Sequence, residues 1–221
     1  MKIKTFTLNV QSSLYPSPLK GEIIGKGDAP KPTPECIKEF KANRETILEP
    51  ILFSQSKKHG TILHGAQSRN IMISNEIGKK KAEELGLLKP TYDYDVWAKS
   101  PRARALEAEK AIDKKMGCDI AYVKVEQIGR EPGTKGKKED FKRYTIVTPV
   151  TPPSRQEIDY ATPPDKKKRP YKVITVKGVK HQDLESAYER AHELKWQPKR
   201  SFKTWMDIRI YQKYQQIKGE D

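Results

Sequence analysis

Thr91-Tyr92-Asp93-Tyr94-Asp95-Val96-Trp97 carries the pattern from which the rest of the chain is read. Aromatic and β-branched residues alternate with two aspartates, which is the composition of a β-strand. Side chains two apart on a strand share a face, so Asp93 and Asp95 present two carboxylates side by side. Paired carboxylates on a half-buried face repel each other and resist desolvation. A divalent cation relieves both penalties, and oxygen donors suit Mg²⁺. A solvated edge strand fits the same alternation, so this stretch by itself leaves two readings open.

About thirty residues upstream stands Thr61-Ile62-Leu63-His64-Gly65-Ala66-Gln67-Ser68-Arg69-Asn70. It opens as a short apolar strand, breaks at Gly65 and continues into a segment able to form a helix. A strand, a glycine and a helix start together offer free backbone N–H groups to a phosphate. A phosphate-holding turn beside a carboxylate pair is the equipment for moving a nucleotidyl group.

The order Gly65-Ala66, a helical spacer, then Asp93-x-Asp95 resembles the nucleotidyltransferase superfamily of the polymerase-beta type. More narrowly, HGAQSRN … YDYDVW is similar to small proteins of that superfamily with an HGG-x-A-x-N … T-x-D-x-D pattern, over roughly Ile62 to Ile217. The resemblance implies an α+β fold with a mixed β-sheet of nucleotidyltransferase type and flanking helices. It implies a third carboxylate on a strand beside the Asp93-x-Asp95 strand. Asp159 in Gln156-Glu157-Ile158-Asp159-Tyr160 matches, and Glu157, two residues earlier on the expected common face, is the fallback. Asp93, Asp95 and Asp159 would hold two Mg²⁺ ions, and Gly65, Ala66 and Ser68 would hold the triphosphate of an NTP substrate. An acceptor hydroxyl would attack the α-phosphorus in line and expel pyrophosphate. The family's C-terminal helix carries an R-x-x-K-x-x-x-D pattern, here Arg200, Lys203 and Asp207. Lys203 is either a further triphosphate contact or an ordinary i,i+4 partner of Asp207. One departure stands out. Ala66 occupies a position where the family usually has Gly or Ser, which keeps a backbone amide but no hydroxyl, and Ser68 is expected to replace that contact.

The 221 residues suit one large or two small domains. Forty-four Lys and Arg against 29 Asp and Glu give a net charge of +15, which favours a polyanionic partner, nucleic acid first. The Lys135–Lys138 and Lys166–Arg169 runs are the candidate contacts, although lysine-rich surfaces also serve solubility. Cys36 and Cys118 lack metal-ligand spacing and point to neither a zinc site nor a disulfide scaffold. No apolar run approaches the ~20 residues of a membrane span, and no signal peptide opens the chain. The expectation is a cytoplasmic protein with no membrane partner.

Three regions are expected: an extended proline-rich arm at 1–33, an α/β core at 34–180 and a C-terminal helical pair at 181–221. Residues 1–10 alternate like a strand. Thr33 should cap a helix that Pro50 ends or kinks. Helices are expected over 67–77, after Ser100-Pro101, from Asp183 and after Pro198, the last with Phe202, Met206, Ile210 and Ile217 inward. Lys172 to Val179 reads as one strand. The function implied is metal-dependent transfer of an NMP from an NTP to an acceptor, nucleic acid among the candidates. The alternative is an inactive nucleotidyltransferase fold acting as a basic nucleic-acid-binding or scaffold protein. A nuclease would use the same carboxylates but would not need the glycine turn.

Overall fold

A computed structural model describes residues 21–127, 142–150, 155–167, 170–195 and 201–219. The expected strand at 1–10, the Lys135–Lys138 loop, Lys168, Arg169 and Arg200 lie outside the described residues. The described chain is a mixed α+β structure. Its strands are β1 (Glu22–Ile24), β2 (Ile62–His64), β3 (Tyr94–Trp97), β4 (Tyr122–Gln127), β5 (Lys142–Thr148), β6 (Arg155–Ala161), β7 (Val173–Val176) and β8 (Val179–Gln182). Its helices are α1 (Pro34–His59), α2 (Gly65–Ile77), α3 (Lys79–Glu84), α4 (Pro101–Met116), α5 (Leu184–Leu194) and α6 (Ser201–Gly219). The strands form one eight-stranded sheet in the order β1-β4-β5-β6-β3-β2-β8-β7. β3 lies between β2, antiparallel to it, and β6, parallel to it.

One hydrophobic cluster joins sheet residues Leu63, Tyr94, Val96, Ile146, Ile158 and Tyr160 to Phe40, Leu48 and Leu52 of α1 and Ala108 and Ile112 of α4. Burying these side chains is the main favourable term in folding. A second cluster gathers Ile73, Ala82, Leu87 and Tyr214, with Leu184, Ile210 and Ile217 against it, and so ties α2 and α3 to α5 and α6. Ile210 and Ile217 of α6 face inward as expected. The most deeply buried residues of this helix among those described are Thr204, Ile208 and Tyr214, Met206 is only half-buried, and the side chain of Phe202 lies outside the described residues.

Helix α1 departs from expectation at Pro50. Thr33 caps it as expected, accepting from the Cys36 amide at 3.3 Å, but the helix runs past Pro50 to Gly60. Proline has no N–H for the carbonyl four residues back. That carbonyl, Thr46 O, instead accepts from Lys115 Nζ at 2.5 Å, so a lysine of α4 supplies the missing donor. The irregularity sits earlier, at Asn43 (φ −114°, ψ 16°). The single strand expected over 172–179 is a hairpin. Lys177 (φ 49°) and Gly178 (φ 78°) form its turn, two consecutive positive φ values that fit the twist of a tight hairpin. The returning strand, β8, pairs parallel to β2.

The cysteine expectation is overturned. Cys36 and Cys118 form a disulfide with Cα atoms 6.6 Å apart, fastening the start of α1 beside the end of α4. Their 82-residue separation hid the pairing in the sequence. The arm also meets the body there: Lys26 Nζ binds Asp113 at 2.5 Å, Glu109 at 3.2 Å, Asp119 and the Ala121 carbonyl. No helix of the described residues is long and apolar enough to cross a membrane.

Closing a loop of this length typically stabilises by roughly 2–4 kcal/mol through the unfolded chain. Reduction of the purified protein is therefore expected to lower its melting temperature by roughly 5–15 °C. Equal melting with and without reductant would remove the disulfide from the account.

Candidate active site

Tyr94 and Val96 are buried in the core, so strand alternation turns Asp93, Asp95 and Trp97 to the opposite face of the sheet. The parallel register of β3 and β6 sets Asp95 opposite Asp159. Carboxylate oxygens of Asp93, Asp95 and Asp159 all lie within 4.8 Å of one another. Thr91 Oγ1 donates to Asp93 at 3.0 Å. Asp159 accepts from Thr145 Oγ1 at 2.5 Å on one oxygen and from Arg143 Nη1 at 3.1 Å on the other. Arg143 is itself held by Glu126 of β4.

Gly65 closes the other side. The β2–β3 register sets His64 opposite Asp95, and the chain then turns through Gly65 at φ 74°. A Cβ added there would stand 2.0 Å from Asp95 Oδ2. Glycine is thus required twice, for its left-handed backbone and for the space the carboxylate occupies. α2 begins at Gly65 without a side-chain cap. The amides of Gly65, Ala66 and Gln67 therefore have no partner within the helix, and the positive end of its dipole starts beside the acids.

Ser68 does not replace the hydroxyl that Ala66 lacks. It is buried, its Oγ lying 3.2 Å from the Leu63 carbonyl and 2.9 Å from His181 Nδ1. Burial lowers the His181 pKa to about 4, so the pair is a neutral hydrogen bond inside the fold. Glu157 is also not the alternative ligand. The β5–β6 register shifts between Ile146 and Val147, which pair with Ile158 and Gln156. Glu157 falls in the irregularity, and its buried carboxylate binds Arg44 Nε at 2.5 Å and Thr148 Oγ1 at 2.8 Å. A bulge re-aims a side chain in this way.

Asp207 has partners beyond its own helix. Its Oδ1 meets Arg69 Nη2 at 2.8 Å and Lys89 Nζ at 2.7 Å. The side chain of Lys203 lies outside the described residues. Arg69 stands four residues after Gly65, on the same helix face, and its charge acts on both His64 and Asp95. Asn70 fastens the approach to β3 by donating to the Lys89 carbonyl at 2.8 Å and accepting from its amide at 3.0 Å. Arg69 was legible from its spacing to Gly65. Lys89, Arg143 and Thr145 were not, because only strand pairing and the α6 contact bring them here.

Burial, then the charges of Asp93 and Asp159, push the Asp95 carboxyl up to about 8, against the pull of Arg143 and Arg69. Asp95 as a whole residue is half-buried. Burial raises Asp159 as well, opposed by Arg143 and Thr145. Burial and the Arg69 charge lower His64 to about 3, so a neutral imidazole stacks on Trp97 at 4.2 Å. Three carboxylates with oxygens within 4.8 Å of one another, one driven toward its neutral form, are a donor set that a hard divalent cation fits.

Neither a protein-family model nor a curated protein sequence matches the chain. The crystal structure of the Megavirus polyadenylate synthase does, with a TM-score of 0.52 at 16% identity over 80% of this chain and 32% of that one. This chain is similar to it in fold. It spans about a third of the length of the viral enzyme. JHP933 from Helicobacter pylori also aligns, over 80% of this chain and 66% of that one, with a TM-score of 0.39 and 10% identity.

Asp95 has a proton in the folded, metal-free protein that the unfolded chain has already released above pH about 4. Its contribution to stability is therefore full below pH about 4 and is lost as pH rises toward about 8. Melting curves without metal from pH 5 to 8.5 should show wild type falling relative to Asp95→Asn, and saturating Mg²⁺ should remove the difference in slope. Parallel pH profiles for the two proteins would contradict the assignment. Gly65→Ala should lower the melting temperature and abolish any Mg²⁺-dependent rise, since it strains the turn and displaces Asp95.

Proposed function

We propose that the chain is a metal-dependent nucleotidyltransferase that moves an NMP from an NTP to an acceptor hydroxyl. The convergence of Asp93, Asp95 and Asp159 against the N-terminus of α2 carries the reading. The similarity in fold to a polyadenylate synthase supports it and makes nucleic acid the leading acceptor class. In this reading Asp93, Asp95 and Asp159 hold divalent cations, two Mg²⁺ by the chemistry of such sites, which would neutralise charge on the phosphates and activate the acceptor hydroxyl. The amides of Gly65, Ala66 and Gln67 receive the triphosphate. Arg69, fixed by Asp207, adds positive charge over the same turn, and Lys203 on α6 stays a candidate triphosphate contact on the resemblance alone. The acceptor oxygen bonds to the α-phosphorus, the bond to the bridging oxygen breaks and pyrophosphate leaves. Asp159, on the strand beyond Asp95, is assigned to the acceptor side.

One observation favours the second reading, an inactive fold serving as a basic scaffold. Both oxygens of Asp159 already accept hydrogen bonds, one from a guanidinium. In an active enzyme Arg143 must share that carboxylate with the cation. Each oxygen has a second lone pair for this.

Incubation with Mg²⁺ and each labelled NTP, with RNA, DNA or the protein itself as acceptor, tests the proposal. Wild type should incorporate label, and Asp93→Asn and Asp95→Asn should reduce incorporation to background while melting at or above the wild-type temperature without metal. Absence of incorporation with every acceptor, together with a melting point indifferent to Mg²⁺ and NTP, would transfer the account to the scaffold reading.

A further inference from the structure

Tyr92, beside Asp93 in the sequence, is 62% exposed, more than Phe53 at 41%, Ile174 at 42% or Trp205 at 40%. An exposed tyrosine by itself is ordinary. This one is held in place. Its carbonyl accepts from Arg44 Nη2, and the Arg155 guanidinium lies 4.7 Å from the centre of its ring. Arg44 is anchored on the fully buried carboxylate of Glu157 through Nε at 2.5 Å, and Arg155 Nε lies within ion-pair range of the same carboxylate at 3.7 Å. Thr148 adds a hydrogen bond to Glu157 at 2.8 Å. Burying a carboxylate is costly, and burial raises the Glu157 pKa against the pull of Arg44. The result is one cation set on the Tyr92 ring and a second holding the Tyr92 backbone, at the residue that precedes Asp93 in the chain.

We infer that Tyr92 is a stacking platform for the terminal base of a single-stranded polynucleotide, held through its carbonyl by Arg44 and with Arg155 beside the ring for a backbone phosphate. The inference rests on the nucleotidyltransferase reading for the role of the strand as acceptor. The chemistry is that of single-strand recognition, in which an aromatic face takes any base and adjacent cations take the phosphates. The geometry favours the acceptor over the NTP. Tyr92 is tied to α1 and to β6, the strand of Asp159, whereas the amides offered to a triphosphate belong to α2, across Asp95. The net charge of +15 matches a polyanion.

The test is equilibrium binding to labelled single-stranded RNA and DNA oligonucleotides with EDTA present, so that no transfer occurs. A duplex closed at both ends by hairpins is the comparison, and binding of ATP with Mg²⁺ is measured separately. Tyr92→Ala should weaken single-strand binding by roughly 5- to 150-fold, the range of one base–aromatic stack. The salt slope should stay parallel to wild type, because no charge is removed. Tyr92→Trp should bind within about twofold of wild type or better, and closed-duplex and ATP binding should not change. Wild-type indifference to single strands, an unchanged Tyr92→Ala, or an equal loss on the closed duplex or on ATP would each overturn the platform. Transfer activity is scored independently. Label incorporation with an unaltered Tyr92→Ala rejects the platform and keeps the enzyme, while loss of strand binding in a protein that transfers nothing keeps the platform and rejects the enzyme.

Discussion

The approach of the Asp95 carboxylate to the backbone of Gly65 is the constraint around which the fold is arranged. The oxygen lies where a β-carbon would be on any other residue. To reach it, β2 and β3 must pair antiparallel with His64 opposite Asp95, and the chain must leave β2 through a left-handed turn. α2 must then start at once, without a capping side chain. The same contact confines Asp95 between a helix terminus and two like charges. The helix end favours an anion, while burial and the neighbouring acids oppose one. A cation at the acids resolves that conflict in favour of the ionised form.

Cations fixed by other acids surround this centre. Asp207 of α6 holds Arg69 and Lys89, Glu126 holds Arg143, and buried Glu157 holds Arg44. Each pairing fixes the direction of a long, otherwise mobile side chain, and removing one partner of the buried Glu157–Arg44 pair would leave an uncompensated charge. The site is therefore coupled to helices distant in the sequence. α6 reaches the approach to β3 through Asp207 and Lys89, and α1 reaches it through Arg44 and the Tyr92 carbonyl. The disulfide and Lys26 secure α1, α4 and the arm to one another.

Local chemistry was legible in the sequence, and pairing was not. Strand alternation placed Asp93 and Asp95 on one face, and Gly65 announced the turn. The acid before the Thr162-Pro163-Pro164 run, Asp159, comes within reach of both. Where expectation failed, a long-range partner had intervened. Lys115 supplies the donor that Pro50 lacks. His181, on a strand hidden behind the Lys177-Gly178 turn, takes the Ser68 hydroxyl into the core. A one-residue irregularity between β5 and β6 sends Glu157 to Arg44 while leaving Asp159 opposite Asp95. Period-2 reasoning cannot foresee such a slip, because one inserted residue reverses the face of everything before it. Cys36 and Cys118 meet only because α1 and α4 pack side by side.

The central claim is that Asp93, Asp95 and Asp159 are gathered to hold a cation. Crystals soaked in Mn²⁺ at pH 7.5 test it most directly through the anomalous signal of the metal. Density bridging the carboxylates of Asp93 and Asp95, within coordination distance of Asp159 and absent from Asp95→Asn crystals, is the result predicted. Wild-type crystals with no anomalous peak at these acids, and with Arg143 still seated on Asp159, would contradict it.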